Sequence, residues 1–424
     1  MSSSFSDLGV SPDIADRLDR RGIAAPFPIQ SATLPDALAG RDVCGRAPTG
    51  SGKTIAFGIP LLTRVGRAQP RRPKGLVLVP TRELASQVRD ELVALAGKKG
   101  ESVIAVYGGV GFGAQIQALR RGVDVVVACP GRLADLVQRR EVNLSDVEIA
   151  VIDEADRMAD MGFLPEVRRL LDQVRDDRQT MLFSATLDGD VEVLVNRYQR
   201  NPVRHELAAE ADAPPSRHVF FAVERPDRVT LTASIVRSEW PAMVFCRTKH
   251  GADRLARQLG KAGVTTATIH GNRSQGQRQR ALADFAKGKV QALVATDVAA
   301  RGIHVDQVAC VVHFDPPGDD KAYVHRSGRT GRAGEVGVVV SLVAHEQSAE
   351  TSGMQRRLDL PVGVLAPDLV ALTDDVHAAR PVPTNGHQRP STTPKRGARR
   401  RPRGRTRSRS NRSSDARRNR TAGR

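Results

Sequence analysis

The sequence predicts an α/β protein built as two tandem domains with mostly parallel sheets, followed by a disordered basic C-terminal tail. Three observations carry this. Short apolar runs alternate with helix-length amphipathic stretches, the alternation pauses once and restarts, and from about Val376 it gives way to Pro, Thr, Gly, Ser and Arg. Runs of Val, Ile and Leu with little polar interruption are how strands buried on both faces of a parallel sheet read. A βαβα rhythm implies helices packed over such a sheet.

In the first half the runs are GLVLVP (75–80), SVIAVYGG (102–109), VDVVVACP (123–130), IAVIDEAD (149–156) and TMLFSAT (180–186). Amphipathic stretches such as RELASQVRDELVALAG (82–97) separate them. At HELAAEADAPPSRH (205–218) a Pro pair among small and acidic residues reads as a linker. The rhythm restarts with HVFFAV (218–223), AMVFCRT (242–248), TTATIH (265–270), VQALVATD (290–297), VACVVHFD (308–315) and VGVVVSLV (336–343). The expected divisions are 1–206 and 218–362 for the two domains, 207–217 for the linker and 376–424 for the tail.

Of 424 residues 40% are hydrophobic and 4% aromatic, so the cores are expected to be made of Val, Leu, Ile and Ala. The net charge of +18 favours a polyanionic partner. Its distribution matters more than its sum. Residues 391–424 hold fourteen Lys or Arg and one acid, a net of +13, which leaves +5 for the first 390 residues. The tail is expected to contact nucleic acid; a solvated tail with no role is the alternative. Cys44, Cys129, Cys246 and Cys310 lie in or beside apolar runs and read as buried reduced thiols, not as a metal site. MSSSFSDLGV at the N-terminus lacks the pattern of a secretory leader, and no apolar run approaches the ~20 residues needed to cross a bilayer. A cytoplasmic protein without membrane association is expected.

The stretch Ala47-Pro48-Thr49-Gly50-Ser51-Gly52-Lys53-Thr54 follows a short candidate strand (Asp42 to Gly45) and precedes a helical pattern, the context of a phosphate-binding loop. Small residues let backbone amides surround phosphates. Lys53 is expected to reach the β- and γ-phosphates of ATP, and Thr54 to offer its hydroxyl to Mg²⁺. Ala47 stands where the standard pattern has Gly, so a chance Gly-Lys-Thr loop stays open on this stretch alone. Asp153-Glu154-Ala155-Asp156 stands at the C-terminal end of an apolar strand, where ligands collect in open α/β sheets. Asp153 is placed to hold Mg²⁺, partly through water, and Glu154 to accept a proton from an attacking water. An acidic helix N-terminus is the bland alternative. A phosphate loop 100 residues upstream argues against it.

In this order the motifs resemble the DEAD-box ATP-dependent RNA helicases of superfamily 2, across residues 5 to 345. The resemblance implies two RecA-like domains with ATP bound in the cleft between them. Phe5 and GIAAPFPIQ (22–30) resemble the Q motif, which implies that Gln30 reads the adenine edge with Phe5 in support. Ile23 departs from the aromatic common at its position, which puts stacking on the base in doubt. SAT (184–186) resembles the motif that couples hydrolysis to strand separation, and implies hydrogen bonds from Ser184 and Thr186 to residues such as Asp156. HRSGRTGR (325–332) resembles motif VI. It implies that Arg329 and Arg332 act as arginine fingers across the cleft, with His325 in a coupling role. VATDVAARGIHVDQV (294–308) resembles motif V and implies that Thr296 contacts RNA phosphate while Asp297 and Arg301 lie near the interdomain interface. His304 stands where the family usually has Asp near the ribose, which puts that contact in doubt.

Pro80-Thr81-Arg82, Gly108-Gly109 and Pro130-Gly131-Arg132 each end an apolar strand and resemble motifs Ia, GG and Ib. All are expected to line one sheet edge, where backbone amides and arginines hold RNA phosphates. Ordinary βα turns are the alternative for any one of them. Arg247-Thr248, His270-Gly271 and Gln275 with Arg278 resemble the matching RNA-side motifs of the second domain. The preference for RNA over DNA rests on the resemblance. Three functions follow as expectations: an RNA helicase or remodeller of RNA–protein complexes, an ATP-gated RNA clamp or annealing chaperone, and a DNA translocase. The Q motif and DEAD argue against the third. The compact core and short tail are similar to the RhlE-type bacterial branch, which implies ribosomal or RNA-decay assemblies as partners.

Overall fold

The computed structural model describes residues 4–48, 50–187, 189–207, 216–300, 308–331, 337–369 and 372. The expected tail, most of the expected linker and the sites proposed at Thr49, Arg301, His304 and Arg332 lie outside them. Among the described residues the strands form two sheets. The first holds β1 (Val43–Arg46), β2 (Gly75–Leu78), β3 (Val103–Val106), β4 (Val125–Ala128), β5 (Ile149–Asp153), β6 (Gln179–Ser184) and β7 (Val203–Glu206), in the order β3-β4-β2-β5-β6-β1-β7. The second holds β8 (Arg217–Ala222), β9 (Ala242–Phe245), β10 (Thr266–Ile269), β11 (Ala292–Ala295), β12 (Cys310–His313) and β13 (Val338–Val343), in the order β10-β11-β9-β12-β13-β8. Every pairing is parallel.

Parallel pairing explains the unbroken apolar runs. A crossover helix between successive strands covers both faces of the sheet, and side chains alternate between those faces. Val126, Ala150 and Ile152 enter one core of the first module, and Val125, Val127 and Val151 enter the other. The second module repeats the arrangement, with Val244, Val294 and Val312 in one core and Met243, Leu293 and Val311 in the other. Beyond residue 362, Leu365 bridges to Phe221 and Leu372 is buried against the second module's core. No helix among the described residues is long and apolar enough to cross a membrane.

One polar cluster lies inside the second module. His313, at the end of β12, is fully buried, with Nδ1 3.2 Å from the Ser341 hydroxyl on β13. The Tyr323 ring meets it edge-on at 4.9 Å, and the Tyr323 hydroxyl lies 2.7 Å from His218 Nδ1 on β8. Tyr323 belongs to the helix Asp320–Ser327, so the cluster ties that helix to the sheet. Burial pushes His218 down to about 4 and His313 well below the ordinary imidazole range. A depressed folded-state value means that the neutral ring is favoured by folding. Its contribution is complete above the unfolded value of about 6.5 and is lost as pH falls below it. The thermal midpoint of the intact protein is therefore expected to fall between pH 6.5 and 4.5. His313→Asn should make that fall shallower whatever its effect at pH 8; an equally steep fall in the variant would rule out this cluster as the source.

Candidate functional site

The carboxyl ends of the first sheet's strands collect the sequence motifs in two neighbouring groups. The phosphate loop leaves β1, Ser184 ends β6 and Asp153 ends β5; β1 pairs with β6 and β6 with β5. Thr81 and Arg82 follow β2, Pro130 to Arg132 follow β4, and Gly108 and Gly109 follow β3, on the adjoining half of the same edge.

The helix Lys53–Arg64 starts directly after the loop. Lys53 is buried, and its ammonium donates to the carbonyls of Ala47 (2.9 Å) and Pro48 (3.3 Å). The Ser51 hydroxyl donates to Pro48 O at 2.8 Å, while Pro48 and Gly50 are exposed and Thr54 is half-buried. The loop is anchored at its start by the Ala47 amide on Ser184 O (3.0 Å). Gly52 has φ +84°, and a Cβ there would collide with the Gln30 amide and come within 2.7 Å of the Phe27 ring. Only glycine satisfies both the backbone and the approach.

Gln30 is fully buried: Nε2 donates to Gly52 O at 3.0 Å, and Oε1 accepts from the Phe27 amide at 2.9 Å. It braces the phosphate loop against the helix Pro28–Leu38, which leaves one hydrogen and one lone pair for any base. Phe5 is buried among Val10, Ile14, Leu18 and Ile59, and Ile23 packs against the same cluster. The exposed aromatic at this end is Phe27, 49% accessible.

Asp153 is almost fully buried, and its Oδ1 accepts from the Glu154 amide at 3.0 Å. Burial pushes its carboxyl up to about 7, with nearby Lys53 opposing. Glu154 sits at φ 54°, ψ 50°, a left-handed conformation uncommon outside glycine and asparagine. That elbow turns β5 into the helix Ala155–Asp160. The Glu154 carboxylate is paired with the buried Arg157 guanidinium. Ser184 Oγ accepts from the Asp156 amide at 3.2 Å, whereas Thr186 is exposed and, among the described residues, makes no hydrogen bond to this segment.

In the second module the helix Asp320–Ser327 presents motif VI. Arg326, 2% exposed at its side chain, donates to both Asp297 oxygens (2.5 and 2.7 Å) and to Asp315 O (2.7 Å), with its guanidinium over the Phe245 ring. Arg329 is buried and donates to His325 O at 3.3 Å. His325 is held below the ordinary imidazole range by burial first, then by Arg157 of the first module. The helix thus lies close to the DEAD segment, and Lys321 reaches Asp160 at 2.5 Å.

On the nucleic-acid side, the Thr81 hydroxyl caps the helix Arg82–Ala96 by accepting from the Leu84 amide at 3.3 Å, and Pro80 and Pro130 are buried. Arg82 lies against Gly109, whose φ of +79° and bare Cα admit the guanidinium. Arg132 reaches Val110 O at 2.9 Å, and Gly131 is exposed. In the second module the Arg247 amide donates to Asp315 Oδ2 (2.8 Å), Lys249 lies over Gly271, and Thr296 is nearly buried after β11. Gln275 and Arg278, expected on the RNA side, are engaged by Glu83 of the first module, at 3.1 and 2.9 Å.

Sequence reasoning passed over three of these residues. Arg326 carried a signal, since it neighbours His325 in motif VI and stands three positions before Arg329. Arg157 likewise follows DEAD directly. Glu83 carried none, because its partners lie 192 and 195 positions away. Replacing Arg326 by Ala strands Asp297. The second module is expected to lose roughly 2–3 kcal/mol, less than a fully buried pair because the Asp297 side chain is 27% exposed. Denaturant unfolding of the intact protein reads this, and a loss below about 0.5 kcal/mol would mean the pair is solvated.

The family model for the DEAD/DEAH box helicase matches residues 27–194, and the helicase conserved C-terminal domain matches residues 228–334. The chain is 39% identical over 352 residues to the DEAD-box ATP-dependent RNA helicase CshA of Bacillus subtilis, covering 82% of this chain and 71% of that protein. It is 38% identical over 379 residues to DEAD-box ATP-dependent RNA helicase 30 of Arabidopsis thaliana, covering 87% of this chain. The chain spans 64%, 60% and 55% of the length of three such plant relatives. Among solved structures it is similar to S. cerevisiae Dbp5 bound to RNA and ADP BeF3, with TM-score 0.73 and 28% identity over 83% of this chain and 93% of that one. A DEAD box protein from Methanococcus jannaschii matches with TM-score 0.52 and 33% identity over 86% of this chain and all of that one. With motifs, two parallel sheets and relatives in agreement, the chain belongs to the DEAD-box helicase family.

Proposed function

We propose that the protein is an ATP-dependent RNA helicase that hydrolyses ATP between its two modules and locally separates short RNA duplexes or remodels RNA–protein complexes. The observation that carries this is the shared sheet edge. The nucleotide group at β1, β6 and β5 adjoins the nucleic-acid group at β2, β4 and β3, so a shift at Asp153 is one strand away from Arg82.

Lys53 binds the phosphates once its ammonium leaves the loop carbonyls. Glu154 takes the proton of the attacking water, and the Arg157 guanidinium paired with its carboxylate holds it in position. Arg329 and Arg332 neutralise the charge that develops on the transferring phosphoryl group. Gln30 and Phe27 face the base. Thr54 and Asp153 would hold Mg²⁺. One hydroxyl and one buried carboxylate suit an ion whose other ligands are phosphates and water, and a cation beside Asp153 relieves the burial that raises its carboxyl. When bound, the ion would supply charge neutralisation for the phosphates.

RNA lies across Arg82, Gly109 and Arg132 in the first module and Arg247, Gly271 and Thr296 in the second, held mainly by its backbone. ATP and RNA each bridge the modules and so favour the same closed arrangement. An ATP-gated clamp or annealing activity is the second reading, favoured by the basic residues 391–424. The setting proposed for either is a ribosomal or RNA-decay assembly.

ATP hydrolysis measured with RNA, with DNA and with neither, beside strand separation of a short RNA duplex, tests the reading. Stimulation by RNA above DNA is expected, with strand separation, and a loss of about 100-fold or more in Lys53→Ala and Glu154→Gln. RNA-stimulated hydrolysis without strand separation would select the clamp. Equal stimulation by DNA would defeat the RNA assignment.

A further inference from the structure

Phe112 lies between the Gly108-Gly109 turn and the helix Gly113–Arg121, half-buried against the first module's core. Two guanidinium groups converge on its ring, Arg132 with Cζ 4.0 Å from the centroid and Arg139 at 4.4 Å. Arg132 stands near the start of the helix Pro130–Gln138 and Arg139 caps its end. Seven residues are close to two helical turns, so both side chains leave the same face. Arg132 is further fixed by Val110 O (2.9 Å) and by Gln115 Oε1 (3.4 Å). Arg139 is exposed.

Like charges gathered at one ring repel each other, and Arg82 adds a third cation to the group. Carboxylates offset this poorly. Among the described residues Arg82, Arg132 and Arg139 form no ion pair, and Asp135 is the acid whose charge acts on Arg132. Nearby arginines of the same module are treated differently. Arg71 and Arg120 share Glu141, and Arg72 holds Asp146. This group, by contrast, has no carboxylate partner among the described residues, and it lies on the half of the sheet edge that carries Arg82 and Gly109. An aromatic face, like the neutral oxygens that hold Arg132, keeps a cation in place without neutralising its charge.

We propose that Arg132 and Arg139, racked on Phe112, form a phosphate subsite for single-stranded RNA that continues the strand's path from Arg82 and Gly109 along the helix Pro130–Gln138. Arg139 is the contact that the motifs do not include, and Phe112 is a positioning residue acting through both arginines. The inference rests on the RNA reading above.

The test is the salt dependence of binding to a single-stranded RNA oligonucleotide, measured by fluorescence anisotropy on the full chain. Each phosphate contact contributes about 0.7 to the slope of log affinity against log salt for single strands. Arg139→Gln should flatten the slope by that amount, so that between 50 and 200 mM salt the native chain loses about 2.6-fold more affinity than the variant. Phe112→Leu should weaken binding several-fold at low salt and Phe112→Tyr should restore it. Adding Arg139→Gln to Phe112→Leu should cost less than adding it to the native chain. Thermal midpoints identify a variant that has lost its fold. An unchanged slope in a folded Arg139→Gln would overturn the subsite. A folded Phe112→Tyr as weak as Phe112→Leu would overturn the positioning role. A native chain that does not bind RNA would overturn the RNA reading itself and this inference with it.

Discussion

Parallel pairing of β5 with β6 and of β6 with β1 is the constraint on which the rest of the molecule depends. It sends each crossover helix over a face of the sheet, so every turn from strand to helix falls on one edge. The phosphate loop, DEAD and SAT are therefore neighbours in space although about 140 residues separate the first from the last. The same constraint places the turns after β2, β4 and β3 beside them. The adjacency of nucleotide and nucleic-acid groups follows from strand order, before any side chain is considered.

Side chains then hold that edge under electrostatic load. Asp153 is buried far enough to raise its carboxyl to about 7, Glu154 is turned through a left-handed elbow, and Lys53 is folded onto the loop it serves. Buried charges of this kind persist only when partners are close. Arg157 partners Glu154, Arg326 partners Asp297, and Glu83 draws Gln275 and Arg278. The first pair stays within the DEAD turn and the second within motifs V and VI. The Glu83 contacts cross between the modules on their nucleic-acid sides. Ligand binding at either group thus acts beside charges that the fold has already paired.

Much of this was legible in the sequence. GLVLVP, VDVVVACP and IAVIDEAD became β2, β4 and β5 because strands covered on both faces need no polar alternation. β7 was missed for the converse reason: Val203–Glu206 is an edge strand paired with β1 alone, its residues alternate in exposure, and VRHE contains no apolar run. The motifs located the candidate site because each is local. What local patterns do not encode is which side chain meets which across the fold. Gln30 spends its amide on Gly52, Phe5 is enclosed in an apolar cluster, Thr81 caps its own helix, and Arg278 faces Glu83. Each of those contacts joins segments whose spacing is set by the tertiary fold or by a helix boundary.

The central claim is that both modules complete one nucleotide site and that nucleotide and RNA favour the same closed arrangement. RNA affinity measured with and without a non-hydrolysable ATP analogue tests it most directly. The account predicts tighter RNA binding with the analogue, by roughly 5- to 150-fold if the coupling is of ordinary size. It also predicts that Arg329→Ala removes that difference while RNA alone binds as before. Equal affinity with and without the analogue in the native chain would contradict it.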